Sequence, residues 1–101
     1  MTGCLVTCEN EPITVVASPN QRQRAVVFSR NCGATTGPNT QLSILAPGEA
    51  QDGAGNTFIA DGKVPLKLQW IADAELVVHG SRGSRTFKQE KHVNGVVIAY
   101  R

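Results

Sequence analysis

Cys32 stands two residues after Arg30 and directly before Gly33, in the stretch RNCGATTGPNTQ at positions 30–41. A thiolate is the nucleophilic form of cysteine, and a nearby guanidinium favours it. A following glycine allows a backbone to approach closely. A cysteine nucleophile also needs a base, yet His79 and His92 sit in no catalytic motif. Two other fates are open to Cys32: a disulfide to Cys8 or Cys4 in an exported protein, or a buried structural thiol. Thr35, Thr36, Asn39, Thr40 and Gln41 follow, interspersed with Gly33 and Gly37. Such a loop can present successive N–H groups to an anion or to a partner's carbonyl. The same residues can instead cap turn amides, with Pro38 stiffening the exit, and composition alone favours that simpler role. The candidate binding loop is therefore Arg30, Cys32, Gly33, Thr35, Thr36, Thr40 and Gln41.

A second cluster is basic. HGSRGSRTFKQEK carries Arg82, Arg85, Lys88 and Lys91 against Glu90, and its glycines and serines make a flexible presenter of arginine. Arg82 and Arg85 are the candidate anion contacts. A formal net charge of +2 and few aromatic residues argue against nucleic acid and for a solvated, edge-protecting hairpin. Metal binding has little support. Cys4 and Cys8 are followed only by a lone Cys32, and DGAGNTFIADG lacks both the alternating aspartates and the closing glutamate of a calcium loop. The glycines fall between strand-like runs and not ahead of a helix, so no nucleotide motif is present and no cofactor is expected.

Three cysteines are an odd number, so at least one is free, modified or paired with another chain. Met1-Thr2-Gly3-Cys4 ends in Thr-Gly-Cys, the last three positions of a bacterial lipobox. Cys4 is thus the candidate lipidation site, and Cys8 with Cys32 the candidate disulfide. No charged or apolar leader region precedes them in the sequence as written. The expected location is the cell envelope if a signal sequence precedes Met1, and the cytoplasm otherwise.

Strands must position these residues. In KVPLKLQW, Val64, Leu66, Leu68 and Trp70 alternate with Lys63, Pro65, Lys67 and Gln69, which puts four apolar side chains on one face. Pro65 suits an edge strand. TQLSILAP repeats the pattern with Leu42 and Ile44, and ITVVAS, RAVVFS, ELVVH and VNGVVIAY are rich in β-forming residues. Turn signals separate them, including Asn94-Gly95, a hairpin dipeptide. IADAEL reads as a bend between strands. APGEAQDGAGNTFIADG reads as a mobile loop with one short strand around Phe58 and Ile59. SPNQRQRAVVF and LQWIADAELVV resemble hairpins of propeller blades. A blade takes about 40 residues and a propeller at least about four blades, so at most two such units fit in these 101 residues and a small sandwich or curled sheet is the better expectation.

These observations predict an all-β antiparallel sandwich or curled sheet of six to seven strands. The expected core is Val15, Val27, Leu42, Ile44, Leu66, Leu68, Trp70, Leu76, Val78, Val96 and Ile98. Residues 1–11 form a flexible tether and residues 12–101 a single domain. With 41% hydrophobic and 18% charged residues the chain can bury a core. No apolar run reaches the about 18 residues of a helical membrane span.

AVVFSRNCGATTGPNTQLSIL resembles a segment of small bacterial proteins of no known activity, many taken to be lipoproteins and some encoded in integron cassettes. The resemblance covers about residues 12–101 and also takes in SPNQRQRAVVF, LQWIADAELVV and the tail FKQEKHVNGVVIAYR. This chain departs from the pattern at Asn31, where the family has aspartate, and at Pro38-Asn39. The loss of that carboxylate weakens any acid–base role beside Cys32. The resemblance implies a lipid-anchored or periplasmic protein.

The leading functional reading is a non-enzymatic, extracytoplasmic protein that binds another protein or itself, touching a membrane only through a lipid anchor. The second is a cytoplasmic cassette-type domain that binds an anion or small ligand at the Cys32 loop and the Arg82/Arg85 hairpin. A cysteine-dependent enzyme comes last.

Overall fold

Alternating apolar residues bury one face of each strand only if a second layer covers it, and here two sheets cover one another. A computed structural model describes residues 8–32 and 37–101. The described residues form nine strands and no helix. These are β1 (Glu9–Ala17), β2 (Arg24–Asn31), β3 (Asn39–Leu45), β4 (Phe58–Asp61), β5 (Lys67–Ala72), β6 (Glu75–His79), β7 (Thr86–Gln89), β8 (His92–Val93) and β9 (Val96–Tyr100). One sheet has the order β1-β2-β3-β4-β7, the other β5-β6-β9-β8.

The all-β class expected from the sequence is the class observed. The extra strands are the short β7 and β8, which carry too few residues to show alternation. One pairing departs from the antiparallel expectation: β6 and β9 are parallel. Between them the chain crosses to the five-stranded sheet through β7, so it returns to β6 in the same direction.

The core lies between the sheets. Ala25, Val27, Leu42, Ile44, Phe58 and Ala60 from one sheet meet Leu76, Val78, Val96 and Ile98 from the other. Leu66, Leu68 and Trp70 pack against this cluster, partly buried. The Trp70 indole N–H donates to the Val16 carbonyl at 3.0 Å, joining edge strand β5 to edge strand β1. Val15, expected in the core, is instead 56% exposed. A bulge between Pro12 and Thr14 shifts the register, so Val15 pairs with Val26 on the outer face. Without that extra residue Val15 would oppose Ala25, which faces the core.

β1 begins at Glu9, so residues 9–11 pair with Asn31–Ser29 and belong to the sheet, not to a tether. Cys4 and the rest of residues 1–7 lie outside the described residues.

The middle of the five-stranded sheet, β2 and β3, is buried on both faces. Val26, Phe28 and Leu45 form a second cluster on its outer side, under the loop of residues 46–56. That loop, expected to be mobile, is tied down at both ends. Arg24 donates to the carbonyls of Ala46 and Glu49, and Asn10 donates to Gly53 O at 2.9 Å. Gly55 N–H donates to Gln41 Oε1 at 2.6 Å. Asn56 then stands in for a missing strand residue beside Ile44. Its Oδ1 accepts from Ile44 N–H and its Nδ2 donates to Ile44 O, both at 2.9 Å.

Candidate functional site

The residues of the 30–41 stretch separate into two groups once folded. Gly33, Thr35 and Thr36 lie outside the described residues. Cys32 is bonded to Cys8, one position beyond the Glu9–Asn31 pair, so the bond extends the β1–β2 ladder. In that state Cys32 offers no thiolate. Arg30 does not reach for a ligand: its guanidinium donates to Asn10 Oδ1 at 2.7 Å, and Asn10 in turn holds the 46–56 loop.

Thr40 and Gln41 correct the expectation of a ligand-facing loop. Both are buried, and their polar groups are consumed internally. Gln41 accepts from Gly55 and donates to Asn39 Oδ1 at 2.7 Å. The Thr40 hydroxyl donates to Gly62 O at 2.8 Å and accepts from Val64 N–H at 2.9 Å. One side chain thus clamps the backbone on both sides of Lys63.

Lys63 is the residue that sequence reasoning missed. The alternation of KVPLKLQW reads it as the wet face of a strand, whereas β5 starts only at Lys67. Residues 62–66 instead form a strap across one end of the sandwich. The only sequence signal is the Asp61-Gly62-Lys63 turn, and Gly62 does adopt φ +75°.

Three neighbouring recesses share Lys63. The first, of about 420 Å³, is bordered by Lys63, Arg82, Arg85, Asp61 and the glycines of the 80–83 turn. The second, of about 350 Å³, is lined by Ile13, Ser29, Thr40, Val64 and Pro65 as well as Lys63. The third joins Lys63 to Glu9, Glu11, Asn31 and Pro38. The fold therefore brings the two separate sequence candidates, the 30–41 stretch and the Arg82/Arg85 turn, to one end of the molecule. Lys63 lies between them.

Local structure explains the placement of the arginines. Ser84 N–H donates to Ser81 O at 3.2 Å and the Ser84 hydroxyl to the same carbonyl at 2.6 Å. The turn so closed has Arg82 at its second position and Gly83, at φ +81°, at its third, where a type II turn needs a positive φ. Arg85 lies over the Phe87 ring at 5.7 Å. Among the described residues no hydrogen bond or ion pair engages the Lys63 ammonium or the Arg82 guanidinium.

The end face is electrically polar. Glu9 and Glu11 form an acidic lip on the β1 side, and Arg82 and Arg85 a basic lip on the other. The apolar surface of Ile13, Val64 and Pro65 lies between them, with Ile13 60% exposed. Among the described residues no group of three His, Cys, Asp or Glu is placed to hold a metal ion. His79 contacts Gln69 at 3.2 Å, and His92 is exposed on β8. Compared with protein-family models, curated proteins and solved structures, the chain shows no significant match.

Proposed function

We propose that this protein is a non-enzymatic binding domain of the bacterial cell envelope that pairs with a second copy of itself through the Lys63 end. The observation that carries this reading is the polarity of that end: acidic lip, apolar centre, basic lip. A two-fold interface places the same patch on both subunits, so each residue meets its complement. Across such an axis Glu9 and Glu11 of one copy face Arg82 and Arg85 of the other, twice. The apolar strip of Ile13, Val64 and Pro65 then stacks on its own counterpart. Burial of that strip supplies the affinity, while the lips set orientation and encounter rate.

The envelope location is supported by the Cys8–Cys32 bond, because disulfides persist in oxidising compartments. It is also supported by the Thr-Gly-Cys4 tripeptide and by the resemblance to small bacterial lipoproteins. Intact mass and thiol count without reductant test it on protein from the native gene. Lipid on Cys4 with Cys8 and Cys32 oxidised supports the location, and three free thiols overturn it.

Pairing is tested by sedimentation with charge-reversed lips. Glu9→Lys/Glu11→Lys and Arg82→Glu/Arg85→Glu should each abolish the dimer, since each creates like-charge contacts. Mixing the two variants restores both attractive contacts and should recover it. A wild-type protein that stays monomeric at high concentration overturns the reading, as does a dimer that survives both reversals.

A further inference from the structure

We infer that the recess between the Lys63 strap and the Arg82–Arg85 turn is a binding site for a small organic phosphate whose apolar part lies on Val64, Pro65 and Ile13. The inference stands apart from self-association, since it concerns what the same end holds when no second copy covers it.

Three cations border the recess, Lys63, Arg82 and Arg85, against a single carboxylate, Asp61. Guanidinium groups suit phosphate because their planar forks match its oxygens, and an ammonium adds a compact point charge. The Asp61 carboxylate opposes an anion but leaves the cations in excess. The supports are also held in place. Thr40 fixes the backbone on both sides of Lys63. Gly80 abuts Pro65 so closely that a Cβ there would lie 2.5 Å from the Pro65 carbonyl oxygen. Strap and turn therefore keep a fixed separation, which lowers the ordering cost of binding.

Size and polarity select the ligand class. A water's share of volume is about 30 Å³, and a phosphate group fills only a few such shares. A recess of about 420 Å³ leaves space beyond it. That space continues over Val64 and Pro65 into the neighbouring groove that ends at Ile13. A phosphate carried on an aryl or alkyl group satisfies both parts at once, whereas inorganic phosphate satisfies only the first.

The test is a titration with inorganic phosphate, phenyl phosphate and phenol, followed by amide chemical shifts, at a dilution where sedimentation shows a single monomeric species. Phenyl phosphate should bind about tenfold more tightly than inorganic phosphate, and phenol alone should bind least. Shifts should centre on Lys63, Arg82, Gly83 and Arg85. Lys63→Ala and Arg82→Ala should each weaken both phosphates about tenfold, while Lys63→Arg retains binding. Ile13→Ser should remove the advantage of phenyl phosphate and leave inorganic phosphate unchanged. Equal affinities for the two phosphates would overturn the apolar half of the site. Equal shifts from chloride at matched ionic strength, or alanine variants that bind like wild type, would overturn the site itself. Protein that stays monomeric at high concentration yet binds phenyl phosphate refutes self-association without touching this inference, and protein that dimerises at high concentration yet binds no phosphate as the dilute monomer does the reverse.

Discussion

Gly80 leans against the carbonyl of Pro65 with no room between them. A Cβ on Gly80 would stand 2.5 Å from that oxygen, and the backbone there has φ +96°, where L side chains are strained. This contact fixes the distance between the strap that carries Lys63 and the turn that carries Arg82. Gly80→Ala should therefore cost about 2–4 kcal/mol, part from the left-handed backbone and part from the clash. Gly83→Ala is the control: it has a similar φ of +81° but nothing within 4 Å, so it should cost only about 1–2 kcal/mol. Urea denaturation midpoints compare the two. Equal losses would mean that the Pro65 contact contributes nothing.

The Cys8–Cys32 bond spans a sequence separation of 24, and loop entropy assigns such a crosslink about 3.5 kcal/mol. The double variant Cys8→Ala/Cys32→Ala should lose about that much unfolding free energy in denaturant. Amide exchange in β1 should also speed up near Glu9 and Asn10, where the bond extends the ladder. Unchanged stability would show that β1 is held by its other contacts alone.

Asn56 replaces a strand partner for Ile44, and Thr57 also donates to its Oδ1 at 2.6 Å. Asn56→Ala leaves the Ile44 amide without its partner, at a cost of about 1–3 kcal/mol. Asn56→Asp keeps the acceptor but sets a carboxylate against the Ile44 carbonyl, and should be at least as damaging. Denaturation of both variants checks this. An aspartate variant as stable as wild type would show that the Nδ2 donor is dispensable.

Tyr100 sits against Phe58 at 5.8 Å between ring centres and donates to Glu90 O at 2.6 Å. Burial first, and the Glu90 carboxylate second, push its phenol well above the ordinary tyrosine range. The unfolded chain thus loses this proton at lower pH than the folded one. The resulting stability is complete below about pH 10 and declines as pH rises beyond it towards the folded value. This chain has one tyrosine, so tyrosinate absorbance follows it alone. The folded protein should titrate later than the denatured protein, and Tyr100→Phe should flatten the alkaline loss of stability. Coincident titrations would refute the shift.

Much of the architecture was legible from short-range patterns. Alternation along TQLSILAP placed Leu42 and Ile44 in the core, and the β-forming run ELVVH supplied Leu76 and Val78, where all four lie. Asn94-Gly95 marked a hairpin, and both residues have positive φ between β8 and β9. These signals are local, because pleating and turn dihedrals depend on a few neighbouring residues.

The rest depended on partners distant in the chain. One bulge moved Val15 from the core to the surface. The covering loop turned Gln41 inward, and the strap did the same to Thr40. No spacing announced that Lys63 would stand between the 30–41 stretch and the Arg82 turn. The residues themselves determined an all-β chain, its turns and most of its core, since side-chain period and backbone preference act within a strand. Tertiary structure alone decided which loops meet at one end and which polar groups remain free there, because those outcomes arise from contacts between segments 22 to 43 residues apart.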